Sequence, residues 1–283
     1  MTDLTPTLDR RGMEEVGRCA RLELVFARRD GRTVLAHGYA EPPLRVGRWF
    51  PDGETAHMVL ATSAPGIFGG DSVEQTILVE PHAEVHLRSQ SALQVHPSAD
   101  GSAARLRSSY RVGEGGRLHC LWDPVIPFAG ARLDQRIEVQ LEAGARLYWS
   151  DSLMSGRLAR GERWQFASLA HELKVFRADR LQYLERYRIA PLEDAPSARR
   201  WVAGDAGYFG TTLVAGAVTS ADAERLHVEL AALPGVLAAA DSLDDTLLVV
   251  RLMATSGVAF REARALVEDW EGARRLVLAD GSV

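Results

Sequence analysis

Arg136-Ile-Glu-Val-Gln-Leu-Glu-Ala-Gly-Ala-Arg-Leu-Tyr-Trp149 reads as strand, turn, strand. Alternation puts Ile137, Val139 and Leu141 on one face of an extended segment, the small residues after Glu142 form a turn, and alternation resumes at Arg146. Two other stretches share this grammar, Glu80-Pro-His-Ala-Glu-Val-His-Leu87 and Glu114-Gly-Gly-Arg-Leu-His-Cys-Leu121. The three glutamates recur after 34 and 28 residues, and the strands ahead of them (76–79, 109–112 and 137–141) all run into the same turn. Units of this kind stack, each covering the apolar face of the next. On residues alone, ordinary β-hairpins with similar turns explain the pattern equally well.

Outward from these units the same texture continues from Arg21 to Arg188, in segments such as Arg21-Leu-Glu-Leu-Val-Phe-Ala27 and Glu74-Gln-Thr-Ile-Leu-Val-Glu80. Leu22, Leu24 and Phe26 share a face in the first. The last third changes character. Thr219-Ser-Ala-Asp opens a helix with Leu226, Leu230 and Leu233 at helical spacing, and Pro234-Gly235 stops it. A buried strand over 246–254 and a second helix over 260–275 follow, with Asp241, Asp244 and Asp245 assigned to a polar turn between helix and strand. The fold class expected is mainly β, stacked and β-helix-like, with a small α+β C-terminal part containing two helices. Residues 1–20 are expected to form a flexible segment and 21–283 one domain, with its β body over about 21–218 and its helical annex over about 219–278.

The composition is that of a globular protein: 283 residues, 46% hydrophobic and 25% charged, with a net charge of −5. A mildly acidic chain is a poor partner for nucleic acid, which demands concentrated positive charge. The N-terminus lacks the apolar run of a secretory signal and no stretch is long and apolar enough to span a membrane, so a cytoplasmic protein is expected. Cys19 and Cys120 are too few and too isolated for a disulfide framework or a CxxC site.

Catalytic motifs are missing. Ala64-Pro-Gly-Ile-Phe-Gly-Gly-Asp-Ser72 and Gly204-Asp-Ala-Gly-Tyr-Phe-Gly-Thr-Thr212 lack the lysine of a phosphate loop and the spacing of a dinucleotide loop, so their glycines read as turn residues. His82 and His86, placed on one alternating strand, are too far apart to share an ion, and the other six histidines are scattered. No nucleophile elbow orders a Ser, His and Asp into a triad. Asp123-Pro124 and Ile126-Pro127 fix a rigid, kinked path leading to Phe128 and Arg132, suited to partner docking or to a structural corner. Arg157 and Glu162 flank a turn and are expected to form an ion pair.

Taken together, Gly66-Ile-Phe-Gly-Gly-Asp71, Ser89-Gln-Ser-Ala-Leu-Gln-Val95, Asp123-Pro-Val-Ile-Pro-Phe128 with Ala131-Arg132 and Gln135, and Gly156-Arg157 through Gly161-Glu162 resemble the UreD (UreH) family of urease accessory proteins. The resemblance runs in order from about Leu22 to Trp270 and Arg274-Arg275. It departs from the family at Gln94, where a lysine is common, and at Trp122, where a proline is frequent. The resemblance implies a β-helix-like body and a non-catalytic scaffold that binds apo-urease, recruits UreF and UreG, and assists nickel delivery, with no tightly bound cofactor.

On that footing, carboxylates lining an internal polar route are expected to pass Ni(II) along, Asp71, Glu162 and Glu185 being the candidates. Oxygen donors hold nickel loosely enough for transfer. Asp123, Pro124, Pro127, Phe128, Arg132 and Arg157 are expected to serve partner binding or the structural corner, and UreF is expected to dock on the annex. The competing reading is a β-helical carbohydrate-active enzyme, which would need aromatic platforms and a close acid pair in one cleft.

Overall fold

A computed structural model describes residues 17–191, 193 and 203–279, with 271–279 described by backbone alone. Most of the chain is strand, in two facing sheets. The first contains β1 (Cys19–Arg29), β2 (Arg32–Ala40), β7 (Ser72–Val79), β10 (Ala104–Val112), β13 (Arg132–Leu141), β15 (Ser168–Arg177) and β16 (Arg180–Ile189), ordered β16-β15-β13-β10-β7-β1-β2. The second is built on β3 (Leu44–Arg45), β5 (Thr55–Thr62), β8 (Glu84–Ser89), β11 (Arg117–Leu121), β14 (Arg146–Met154), β17 (Tyr208–Ala215), β18 (Val236–Asp244) and β19 (Leu247–Ala254), ordered β18-β19-β17-β14-β11-β8-β5-β3. β4 (Trp49–Asp52) pairs with β5, and the short β6 (Ile67–Phe68), β9 (Leu93–His96) and β12 (Val125–Pro127) join one another and β14.

The repeats form the centre of this arrangement as stacked units. β7, β10 and β13 run parallel in one sheet and β8, β11 and β14 run parallel in the other, so each unit crosses from sheet to sheet through its turn. Register corrects the sequence alignment by one residue: Val79, Val112 and Leu141 are level, which places Gly113, not Glu114, beside Glu80 and Glu142. A second correction concerns His82, which lies in the turn with φ 60° and not on the strand that carries His86.

Between the sheets, Ile77, Tyr110, Ile137 and Val139 meet Val85, Leu118, Leu147 and Trp149 in one buried core. The second sheet is covered on its other face too. α1 (Ser220–Ala231) and α2 (Gly257–Ala279) bring Leu226, Leu230, Phe260, Val267 and Trp270 against Tyr148, Val214, Leu248 and Val250. Burial on both faces explains why β19 is a continuous apolar run without alternation. The annex strands extend this sheet, and Asp241 and Asp244 belong to β18, a strand that the acidic sequence concealed.

α1 begins as its sequence indicates. Thr219 accepts a hydrogen bond from the Asp222 amide at 3.1 Å while the Asp222 carboxylate accepts from the Thr219 amide, closing a capping box. Thr219→Ala is expected to cost about 1 kcal/mol, read by urea denaturation. The flexible segment expected over 1–20 falls mostly outside the described residues; β1 starts at Cys19.

Candidate functional site

Between the sheets lies a cavity of about 880 Å³. Much of its wall is apolar, including Leu44, Leu93, Trp122, Leu153 and Phe209. Two sets of strand neighbours make it polar at one side. Asp151, Thr211 and Arg251 are level across β14, β17 and β19, and Gln135, His171 and Tyr187 are level across β13, β15 and β16. Each occupies an inward slot of an otherwise apolar strand face, as Asp151 does between Trp149 and Leu153.

Glu185 joins the two sheets. Its carboxylate accepts from Arg251 at 2.6 Å, from the Tyr183 hydroxyl at 3.1 Å and from the Thr211 hydroxyl at 3.3 Å, while the residue is only 6% exposed. Asp151 accepts from the Trp149 indole N–H at 3.1 Å and lies 4.0 Å from His171 Nε2, whose ring stacks on Tyr187. His171 Nδ1 is 3.2 Å from the Gln135 side-chain oxygen. Burial pushes the Asp151 carboxyl above its ordinary range and Glu185 pushes the same way, with His171 opposing. Burial likewise raises the Tyr183 and Tyr187 phenols. Burial works against the Arg251 charge, yet Glu185 and its neighbours outweigh this and hold the guanidinium protonated more firmly than usual.

A second concentration of unusual residues sits where β6, β9 and β12 meet. Phe68 stacks on His96 with ring centres 4.4 Å apart, His96 meets the edge of Phe128, and the Arg157 guanidinium lies 3.8 Å over the Phe128 ring. Arg157 pairs with Glu162, which also accepts from the Ala129 amide at 3.2 Å. Gly156, at φ 124°, approaches so closely that an added Cβ would stand 2.1 Å from the Glu162 carbonyl oxygen. Gly156→Ala is expected to cost about 1–3 kcal/mol by forcing that contact apart, measured as a shift in the denaturation midpoint.

The family model described as UreD urease accessory protein matches residues 18–280. The chain belongs to the UreD family of urease accessory proteins. The UreD of Anaeromyxobacter sp. strain Fw109-5 is 34% identical over 256 residues, covering 88% of this chain and 85% of its own. UreD 2 of Streptomyces griseus is 35% identical over 228 residues, 75% of each chain, and the UreD of Sorangium cellulosum is 37% identical over 179 residues, 63% of this chain and 57% of its own. UreD proteins are accessory factors and not enzymes, so the chain has a role in urease maturation. The cavity does combine acids with Trp122, Trp149 and Trp164, the ingredients named for a carbohydrate enzyme, but the family excludes that reading.

Within this UreD fold the residues singled out from sequence separate into two groups. Of the three candidate carboxylates, Glu185 reaches the cavity lining and the other two do not. Asp71 staples a loop, accepting from the Arg18 amide at 2.9 Å and the Phe68 amide at 2.8 Å, and Glu162 holds Arg157. Asp123 stands at the cavity wall, where its amide donates to the Ser89 hydroxyl at 2.8 Å. Pro124 precedes β12 and Pro127 is its last residue, and the pairing of β12 with β9 makes the corner a strand and not a loop, while Arg132 opens β13. Phe128 and Arg157 form the stack already described.

Asp151, His171 and Arg251 were not among the sequence candidates. Their signal was there, since each is a polar side chain at an inward strand position, but their convergence depends on register between distant strands. The histidines also regroup. His57, His86 and His119 are level on β5, β8 and β11 with ring centres 4.4 and 4.5 Å apart, and His119 continues onto Tyr148. Among the described residues, no three His, Cys, Asp or Glu side chains form a group able to hold a metal ion, and no helix is long and apolar enough to cross a membrane.

Proposed function

We propose that the chain is a non-catalytic cytoplasmic scaffold that binds apo-urease together with UreF and UreG and passes Ni(II) through its internal cavity. The observation that carries this reading is the polar cluster of Asp151, Glu185 and His171 inside a mostly apolar chamber. These groups form no site that would hold the ion, so nickel would pass them in transient contacts with single carboxylate oxygens, which hydrogen bonds from Trp149, Tyr183 and Thr211 keep in place. Nickel is the cargo of this route, with no tightly bound cofactor.

Glu185→Gln tests it. Arg251 is half exposed and tolerates loss of its partner, with 51% of its side chain accessible. In cells that co-express urease and its accessory proteins, the variant is expected to co-purify normally while nickel per urease falls about tenfold. Normal loading would overturn the route and leave the scaffold reading standing.

UreF is proposed to dock on the annex, whose helices expose Val228 and Val258. Truncation after Asp241 is a poor test, because it removes β19 from between β17 and β18. Val228→Asp combined with Val258→Asp is expected to reduce co-purification with UreF at least tenfold with an unchanged circular-dichroism spectrum; undiminished co-purification would place UreF elsewhere.

A further inference from the structure

The two sheets do not end together. The first stops at β16, which faces β19 through the Glu185–Arg251 contact, while β18 projects one strand further. One face of β18 packs under α1 through Val236, Ala238 and Ala240. Among the described residues its other face has no strand opposite: Leu237 is 65% exposed, and Ala239 and Asp241 are exposed as well.

Backbone parity identifies what borders this shelf. The Ser168 amide bonds to the Ala131 carbonyl on the β13 side, so even-numbered residues of β15 turn toward β13 and odd-numbered ones toward β16. Leu173 is level with Glu185 and Val175 with Tyr183, hence Tyr183, Glu185 and Tyr187 bond to β15. The amides and carbonyls of Leu184, Arg186 and Arg188 therefore point away, and among the described residues they meet no backbone partner. An unpaired edge thus stands beside an apolar shelf one strand wide, and Arg188, Leu237 and Ala239 also line the cavity there.

Such an edge is a template for an added strand. The side chains beside it choose the occupant. Leu184, Arg186 and Arg188 lie on the outer face of β16, and among the described residues the two arginines, both mostly exposed, pair with a largely covered Glu172 and an exposed Glu193, leaving guanidinium surface for a further acid. We propose that the free edge of β16 receives an extended segment of a partner protein as an added strand, with apolar side chains over Leu237 and Ala239 and alternate acidic side chains against Arg186 and Arg188. The incoming strand would also wall off the cavity on that side. The inference goes beyond the nickel route and does not depend on it.

The test uses two capped eight-residue peptides, one alternating valine with glutamate and one alternating valine with lysine, titrated into the whole protein at low salt. The acidic peptide is expected to bind at least tenfold more tightly and to slow deuterium exchange at the amides of Leu184, Arg186 and Arg188. Arg186→Pro, which removes an outward donor at an edge position, is expected to abolish binding. Arg186→Glu with Arg188→Glu leaves the ladder intact and is expected to reverse the peptide preference, so it decides the matter should the proline variant not fold. Absence of binding, equal affinity for both peptides, an unreversed preference, or protection at another edge would overturn the proposal.

Discussion

Trp149→Ala is expected to remove about 3–5 kcal/mol of folding stability, the usual cost of deleting a large buried aromatic. Trp149 is 1% exposed and sits where the stacked units meet the annex. Its ring meets Tyr110 edge-on at 5.0 Å and Trp122 at 5.8 Å, contacts that add to simple burial. β14 also separates the parallel units from antiparallel β17, so a void there loosens both parts of the second sheet. Urea denaturation followed by tryptophan fluorescence measures the loss. Trp149→Phe separates packing from hydrogen bonding, because it refills most of the space but withdraws the indole N–H from Asp151. That variant is expected to lose about 1–2 kcal/mol. A loss under about 2 kcal/mol for the alanine variant would mean that the sheets close over the gap.

Local chemistry makes much of this fold readable. Alternation at Leu22, Leu24 and Phe26 and at Ile137, Val139 and Leu141 reports one buried face, and those residues are buried. The turns after Val79, Val112 and Leu141 reveal the stacking, though the sequence misaligns one of them because Gly113 carries no side chain to mark its level. β18 is hidden for a different reason. It alternates between Val236, Ala238 and Ala240 under α1 and an exposed face holding Leu237 and Asp241, so its hydrophobic contrast is weak and its acids read as a turn.

The site is less legible than the fold. Phe128, Arg157 and Glu162 are visible because proline and glycine fix their backbone locally, and the corner they build follows from nearby residues. Glu185 is visible as an acid between two tyrosines on a strand. Its partner Arg251 is 66 residues away, and the bond between them depends on β16 lying across from β19. Nothing local encodes that. Trp122 has a structural reason of its own: its ring packs against Trp149 and its carbonyl accepts from Arg264 at 2.9 Å, tying α2 to the cavity wall.

Asp151→Asn is expected to separate stability from function. Burial, reinforced by Glu185, raises the Asp151 carboxyl in the folded chain, so the native state holds that proton to higher pH than the unfolded state does. Between the unfolded carboxyl value, about 3.9, and the raised native value, stability therefore falls as pH rises, and above the native value the full penalty persists. Asparagine has no such proton, yet its side-chain oxygen still accepts from the Trp149 indole at the position where the carboxylate does so at 3.1 Å. The variant should then be more stable than the parent at pH 7, with a difference that shrinks as pH is lowered toward 4. Nickel loading of co-expressed urease should nevertheless fall about tenfold, because the cluster has lost one of its two carboxylates. Thermal midpoints taken from pH 4 to 7, beside nickel per urease, distinguish the outcomes. A variant less stable at every pH would make Asp151 a structural group, and one that loads urease normally would remove it from the route.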